Sequence, residues 1–118
     1  MTRRGKNLGD FGEARACDFL IRHGFAIIER NYHTTVGEID IIAEKGGDYY
    51  FIEVKTRRNF NLASDEAITF SKRKRLNKTV KIYCYRKNIA GGSIILAGVI
   101  IAADAARKKL KFRFCVFS

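Results

Sequence analysis

Two runs of strand-forming residues flank Gly46-Gly47, and they fix the centre of this chain as a β-hairpin. Ile39, Ile41, Ile42 and Ala43 lead into Lys45-Gly46-Gly47-Asp48, and Tyr49, Tyr50, Phe51, Ile52 and Val54 lead away from it. A Gly-Gly pair suits a two-residue turn because both central residues can take positive φ. That turn sets Asp40 opposite Glu53 and Glu38 opposite Lys55. Side chains alternate along a strand, so Glu38, Asp40, Glu53 and Lys55 are expected on one face, with Ile39, Ile41, Ile52 and Val54 on the other. Two carboxylates directly opposite one another destabilise a sheet. A nearby lysine relieves part of that, and a divalent cation would relieve all of it. Asp40 and Glu53 are therefore metal-ligand candidates.

The 118-residue chain reads as one domain, residues 1–118, with 47% hydrophobic and 30% charged residues placing it among globular rather than disordered sequences. Cys17, Cys84 and Cys115 form no CxxC pair, which argues against a zinc site or a disulfide framework and for reduced thiols in the cytoplasm. No apolar run follows the basic N-terminus, so a secretory signal is not expected. The apolar stretch from Ser93 to Ala106 is interrupted by Asp104 and too short to span a bilayer. The net charge of +11 is unevenly divided: up to Glu66 there are 10 Lys+Arg against 11 Asp+Glu, and after it 13 Lys+Arg against Asp104 alone. Such a division points to a polyanionic partner, with nucleic acid first. A basic surface with no polyanion partner is the plainer alternative.

The rest of the chain supplies helices on either side of the hairpin. Phe11, Ala14, Cys17, Leu20 and Ile21 recur at helical spacing, predicting a helix from about Asp10 to His23. Asp10 with Glu13 fits a capping box, and Gly24 suits the position after the helix. Ala26-Ile27-Ile28 begins a strand ahead of the hairpin. After a polar loop from Arg58 to Ser64, a second helix is predicted from about Asp65 to Lys87, with Ile68, Leu76, Val80, Tyr83 and Cys84 as its apolar stripe. Ser93 to Ala103 reads as a strand buried on both faces. Leu110, Phe112, Phe114 and Val116 alternate with polar residues as a final strand. The order αβββαβ plus one more strand predicts an α/β domain, a mixed sheet flanked by helices.

Carboxylates such as Asp40 and Glu53 suit a hard cation, Mg²⁺ or Mn²⁺, which keeps several waters and bridges to phosphate. The metal polarises a phosphoryl oxygen and lowers the pKa of a bound water. Lys55 adds positive charge where the reacting phosphate becomes more negative. The chain here resembles the PD-(D/E)xK nuclease superfamily, with its restriction-endonuclease-like fold, and within it the uncharacterised bacterial YraN family. The resemblance runs through Gly9-Asp10-Phe11-Gly12-Glu13, Asn31-Tyr32, Gly37-Glu38-Ile39-Asp40, Phe51-Ile52-Glu53-Val54-Lys55-Thr56-Arg57, and Glu66-Ala67-Ile68 with Lys72 following. It covers residues 5 to about 80.

The resemblance implies an endonuclease that hydrolyses phosphodiester bonds, similar to archaeal Holliday-junction resolvases in acting on branched or structured DNA. It implies Asp40, Glu53 and the Val54 carbonyl as metal ligands, Glu13 near the metal, Lys55 beside the nucleophilic water, and Lys72 facing the active site or the scissile strand. Two departures stand out: Arg73 occupies a position where the family usually has glutamine, and Arg113-Phe114-Cys115-Val116 matches an Arg-Phe-Asp-Val strand with Cys115 in place of the acid. Candidate phosphate contacts are Lys72, Arg73, Lys74, Arg75 and Lys78 on the second helix and Arg57 on the hairpin. No base-reading motif is present, so phosphate contacts and shape should dominate recognition. Cleavage of both strands of a duplex would require a homodimer. Plainer readings exist for each feature. Asp40 and Glu53 could form a solvent face, Glu13 could serve only the capping box, Lys72 to Arg75 could be a solvated helix face, and Glu38 could orient Lys55. The rival functions are a nucleic-acid-binding module without cleavage and an adaptor of a DNA-processing complex.

Overall fold

The computed structural model describes residues 3–57, 70–89, 92–104 and 106–117, with helical side chains from Asp10 in the first helix and from Arg73 in the second. The expected loop from Arg58 to Ser64, the Glu66-Ala67-Ile68 segment and the Lys72 side chain lie outside that description. Helix α1 (Arg3–Arg22) precedes strands β1 (Ala26–His33), β2 (Glu38–Lys45) and β3 (Asp48–Arg57). Helix α2 (Phe70–Arg86) and strands β4 (Ile94–Asp104) and β5 (Lys109–Val116) follow. The sheet order is β1-β2-β3-β4-β5. Among the described residues only β3 and β4 pair in parallel, with α2 falling between them in the chain. This mixed sheet is the αβββαβ core with a further C-terminal strand.

Each helix seals one face of the sheet. Ala16, Cys17 and Leu20 of α1 pack with Ile41, Ile52 and Val99, joined at the margin by Leu110, Phe112 and Phe114 of β5. Leu76, Val80 and Tyr83 of α2 pack on Ile39, Ile42, Phe51 and Leu96. Strand β4 is buried from Leu96 to Ala102 because both layers meet on it. Cys17 is buried and Cys84 partly so, and no disulfide joins Cys17, Cys84 and Cys115. No helix among the described residues is long and apolar enough to cross a membrane.

Helix α1 begins at Arg3, well before the expected start. Nothing between Arg3 and Gly9 stops a helix as proline would. Asp10 is therefore interior, and the capping-box reading of Asp10 and Glu13 is corrected. The C-terminus does follow the sequence. Gly24 takes φ 88, its N–H donates to the Ile21 carbonyl, and Phe25 N–H donates to the Leu20 carbonyl, the Schellman arrangement.

The hairpin keeps the register drawn from Gly46-Gly47, whose φ values are 61 and 86, as far as Ile41 and Ile52. The expected pairs Asp40–Glu53 and Glu38–Lys55 lie beyond the ladder and are not formed. Pairing runs from Lys45↔Asp48 to Ile41↔Ile52. One further expectation fails: Ile39 does not share a face with Ile41, since Ile41 packs under α1 and Ile39 under α2. The cause lies in β1. Arg30 pairs with Ile41 and Tyr32 with Ile39, leaving Asn31 level with Asp40. Asn31 has φ 53, a left-handed conformation that asparagine tolerates better than most residues. Such a residue turns the chain so that Arg30 and Tyr32, two apart, point to opposite faces, and β2 makes the same change at Asp40.

Candidate active site

Strands β2 and β3 part company at the level of the expected acids. Beyond Ile41↔Ile52 the ladder gives way, and the Val54 N–H donates to Oδ2 of Asp40 at 2.8 Å. In a strand the N–H and C=O of one residue point to the same edge. The Val54 carbonyl therefore also faces this gap, where the resemblance places a metal ligand.

Strand β3 stays regular through its pairing with β4, from Tyr49 to Arg57. Glu53, Lys55 and Arg57 therefore share the face of Phe51, which α2 covers further along. Lys55 Nζ lies 3.8 Å from Glu53 Oε1, with the two side chains 28% and 20% exposed. Partial burial of that kind keeps an ion pair from being screened away as a surface pair would be.

Glu13 arrives from α1. Its Oε2 lies 3.9 Å from the Arg30 guanidinium, and the Asn31 side chain is near enough to favour the ionised carboxylate. That oxygen is buried without a hydrogen-bond partner among the described residues. Burial pushes the Glu13 carboxyl above its ordinary range; Asn31 and Arg30 pull it down, and Asp10 and Glu38 push it up. Gly12 lets α1 come this close to β3, since a Cβ there would strike Oγ1 of Thr56.

Asp40 is the most perturbed acid. Burial is the main cause of its rise to about 6, and the carboxylates of Glu13, Glu53 and Glu38 add to it against the Val54 hydrogen bond. Three further carboxylates thus act on Asp40, while Arg30 stands beside Glu13 and Lys55 beside Glu53. A divalent cation beside Asp40 would relieve the charge on that carboxylate. Among the described residues no three His, Cys, Asp or Glu side chains converge tightly enough to enclose an ion by themselves. The donor set suits Mg²⁺, which takes one or two carboxylates and fills its other positions with water and phosphate.

The outer residues divide. Glu38, weighed as an orienting partner for Lys55, places Oε2 3.1 Å from Nδ1 of His33, with both side chains exposed. Arg73, Lys74, Arg75 and Lys78 are exposed on α2, and Arg57 is half-buried on β3. Arg73 rests on the Phe117 ring, 5.0 Å from its centroid. Arg75 stands nearest the acids' end of the sheet: a Cβ on Gly37 would come within 2.8 Å of Thr79 Oγ1 and 3.8 Å of the Arg75 Cβ. Thr79 is fully buried and donates to the Arg75 carbonyl at 2.9 Å. Gly37 thus explains how α2 nests beside the start of β2. Cys115, standing where the family pattern has an acid, pairs with Gly98, which in turn pairs with Glu53.

Asn31, Arg30, Thr56 and Thr79 shape this region, and the sequence reading gave them no role. An asparagine inside a strand-forming run was the visible signal for Asn31, because asparagine is a poor strand residue. Nothing local marked the other three, whose roles depend on contacts between distant elements.

A family model described as "Uncharacterised protein family UPF0102" matches residues 12–117. A UPF0102 protein of Dictyoglomus turgidum is 44% identical over 85 residues, covering 71% of this chain and 72% of that protein. One from Clostridium botulinum (strain Loch Maree / Type A3) is 45% identical over 85 residues, covering 71% and 69%. One from Dictyoglomus thermophilum is 46% identical over 83 residues, covering 70% of each. The chain belongs to the UPF0102 (YraN) family, and the match takes in the C-terminal strand with Cys115.

Proposed function

We propose that this chain is a metal-dependent endonuclease that hydrolyses phosphodiester bonds in DNA, with branched or otherwise structured DNA as its substrate. The observation that carries the reading is the cluster at the β2/β3 gap. Asp40 is seated on the Val54 N–H at 2.8 Å, raised to about 6 among neighbouring carboxylates, and Lys55 lies 3.8 Å from Glu53 on the adjoining strand.

Asp40, Glu53 and the Val54 carbonyl would hold a Mg²⁺ or Mn²⁺, which when bound supplies Lewis acidity to a phosphoryl oxygen and acidifies a bound water. The remaining steps belong to the chain. Glu53 restrains the Lys55 ammonium through their ion pair. Lys55 then stands where an attacking water loses its proton and the phosphate gains charge, so it orients the one and stabilises the other. Arg57, one pleat further along the same face, would contact a neighbouring phosphate. Glu13, anchored by Asn31 and Arg30, keeps the α1 side of the gap acidic and can accept a hydrogen bond from a water there. The exposed cations of α2 supply attraction to the phosphate backbone independent of sequence.

The deciding experiment is cleavage of duplex, flap, fork and four-way-junction DNA with Mg²⁺ or Mn²⁺, comparing wild type with Lys55→Ala. Lys55→Ala should retain DNA binding and lose at least a hundredfold in cleavage rate, on the order of what a positioned proton-transfer group contributes. If the wild type cleaves none of these with either metal but binds them, the fold is a nucleic-acid-binding module. If it does not bind them, the adaptor reading takes over.

A further inference from the structure

Helix α2 carries a line of side chains on the face turned away from the sheet. Between Phe70 and Arg86 it contains no Asp or Glu. Leu76, Val80 and Tyr83 pack inward, against the sheet. Lys74, Lys78, Lys81 and Tyr85 are all exposed. On a helix of 3.6 residues per turn these four fall within about 60° of one another, opposite the packed stripe. The line is roughly 17 Å long at 1.5 Å per residue. Its Lys74 end adjoins Arg75, which lies beside Gly37 at the acids' end of the sheet.

Among the described residues no hydrogen bond, ion pair or ring contact engages the side chains of these three lysines or of Tyr85. The two residues after Tyr85 differ. Arg86 donates to the Tyr32 hydroxyl at 3.2 Å, and Lys87 Nζ lies 5.9 Å from the centroid of the Tyr83 ring. Those contacts pin the C-terminal end of α2 to the fold, and Tyr85 takes no part in them. Tyr85 is 87% exposed, whereas the other exposed large hydrophobic residues range from 41% to 56%.

A single exposed apolar side chain needs no explanation by itself, and a basic helix face can be merely solvated. Here the two features coincide, because the ring stands in line with the lysines, one helical turn beyond Lys81. A row of lysines suits a phosphate backbone, and an open aromatic ring beside it suits the face of a base. Bases inside a duplex are stacked on their neighbours, so an unpaired base is the one that can reach such a ring.

We infer that the line from Lys74 through Lys78 and Lys81 to Tyr85 binds a single-stranded segment of DNA. The backbone follows the lysines, and one unpaired base stacks on Tyr85. The inference rests on the nuclease reading, which supplies DNA as the substrate, and it narrows that substrate to DNA with an unpaired arm, such as a flap or fork. Tyr85 is a positioning residue and does not touch the reacting atoms.

The test is DNA binding by the full chain in a Lys55→Ala background, followed by fluorescence anisotropy over a range of salt. The probes are a labelled oligothymidylate, a fork with unpaired arms and a blunt duplex. Tyr85→Ala should weaken binding to the oligothymidylate and the fork roughly fivefold or more, the least that stacking one base on an aromatic ring contributes. Its affinity for the blunt duplex should change by no more than about twofold. The salt slope should stay as in the parent, because no charge is lost. Tyr85→Phe keeps the ring and should bind as the parent does. Lys78→Gln/Lys81→Gln should lower the slope on the oligothymidylate by roughly 1.4, about 0.7 for each phosphate. Thermal melting checks that each variant folds.

Tyr85→Ala binding the oligothymidylate as tightly as the parent, or losing as much on the blunt duplex, would overturn the stacking site. A lysine pair that keeps the parental slope would overturn the backbone path. Cleavage of the same probes by the chain with Lys55 intact measures the nuclease reading separately. Metal-dependent cleavage alongside a silent Tyr85→Ala removes this inference alone, and a parent chain that binds no DNA removes both.

Discussion

The Val54 backbone N–H donates to Asp40 Oδ2 at 2.8 Å across the gap where β2 and β3 have stopped pairing. A main-chain donor fixes this carboxylate, so no side chain has to be recruited to hold it. The hydrogen bond favours the ionised acid, yet burial and three neighbouring carboxylates outweigh it. Asp40 is therefore held in place and held in an unfavourable charge state together, a combination that a cation resolves.

Asp40 should accordingly link stability to pH and to metal. A carboxyl whose folded pKa lies above its ordinary value binds its proton more tightly folded than unfolded. Stability is then lost as pH rises from 3.8 through about 6, and the full penalty applies above that. Asp40→Asn keeps an oxygen for the Val54 N–H and removes the charge. It should raise the metal-free melting temperature at neutral pH by roughly 5 °C, on the order of 1 kcal/mol. The gain should disappear when melting is repeated below pH 3.8. Millimolar Mg²⁺ should stabilise the wild type and not the variant. Equal metal-free melting temperatures at neutral pH would remove this account of Asp40.

The hairpin was legible in the sequence because its information is local. Gly46-Gly47 sets the turn, alternation sets the faces, and the register from Lys45↔Asp48 to Ile41↔Ile52 follows. What was not legible begins one residue later. The face change at Asn31 and Asp40 comes from one left-handed residue in a neighbouring strand, and alternation assumes that none exists. The early start of α1 escaped for a related reason. Asp10 and Glu13 have capping-box spacing, but that spacing is also one helical turn, so it does not by itself mark a boundary. Leu76, Val80 and Tyr83 mark the stripe of α2 by their spacing alone, while the approach of that helix to Gly37 depends on a tertiary contact with Thr79.

Asn31 combines two roles that substitutions can separate. Its φ of 53 costs a residue with a Cβ about 1–2 kcal/mol, and its side chain also favours the ionised form of Glu13. Asn31→Gly should keep the backbone and lose only the Glu13 contact. Asn31→Ala should lose both, and denaturant unfolding should find it less stable than Asn31→Gly by roughly 1 kcal/mol. If alanine proves the more stable of the two, the left-handed residue is not what sets the strand faces.

Gly12 and Thr56 should be energetically coupled. A methyl group at Gly12 meets Oγ1 of Thr56, and a β-branched side chain has few rotamers with which to escape. Gly12→Ala alone should destabilise by about 1–3 kcal/mol through overpacking, despite alanine's better helix propensity. Thr56→Ala removes the obstructing oxygen and should restore much of that loss. The double-mutant cycle should give a coupling of at least ~0.5 kcal/mol. An additive cycle would mean that α1 does not rest on β3 through this pair.

The basic face of α2 gives the last prediction, separable from chemistry at Lys55. Lys74, Arg75 and Lys78 are exposed, and Arg75 lies beside Gly37 at the acids' end of the sheet. Arg73 is left out because its guanidinium sits on the Phe117 ring, so replacing it would disturb packing as well as charge. Reversing Lys74, Arg75 and Lys78 to glutamate should weaken binding to every DNA sequence alike, because phosphate contacts carry no sequence information. The salt slope should fall by roughly 3 when all three contact phosphates. Lys55→Ala, by contrast, should change the slope by about 1 or less and act chiefly on turnover. On the nuclease reading the distinction rests on where the charges stand: α2 would meet a backbone that is present before and after reaction, whereas Lys55 would meet charge that develops during it. Binding that is indifferent to salt, or that survives the triple reversal undiminished, would assign this helix to a protein partner.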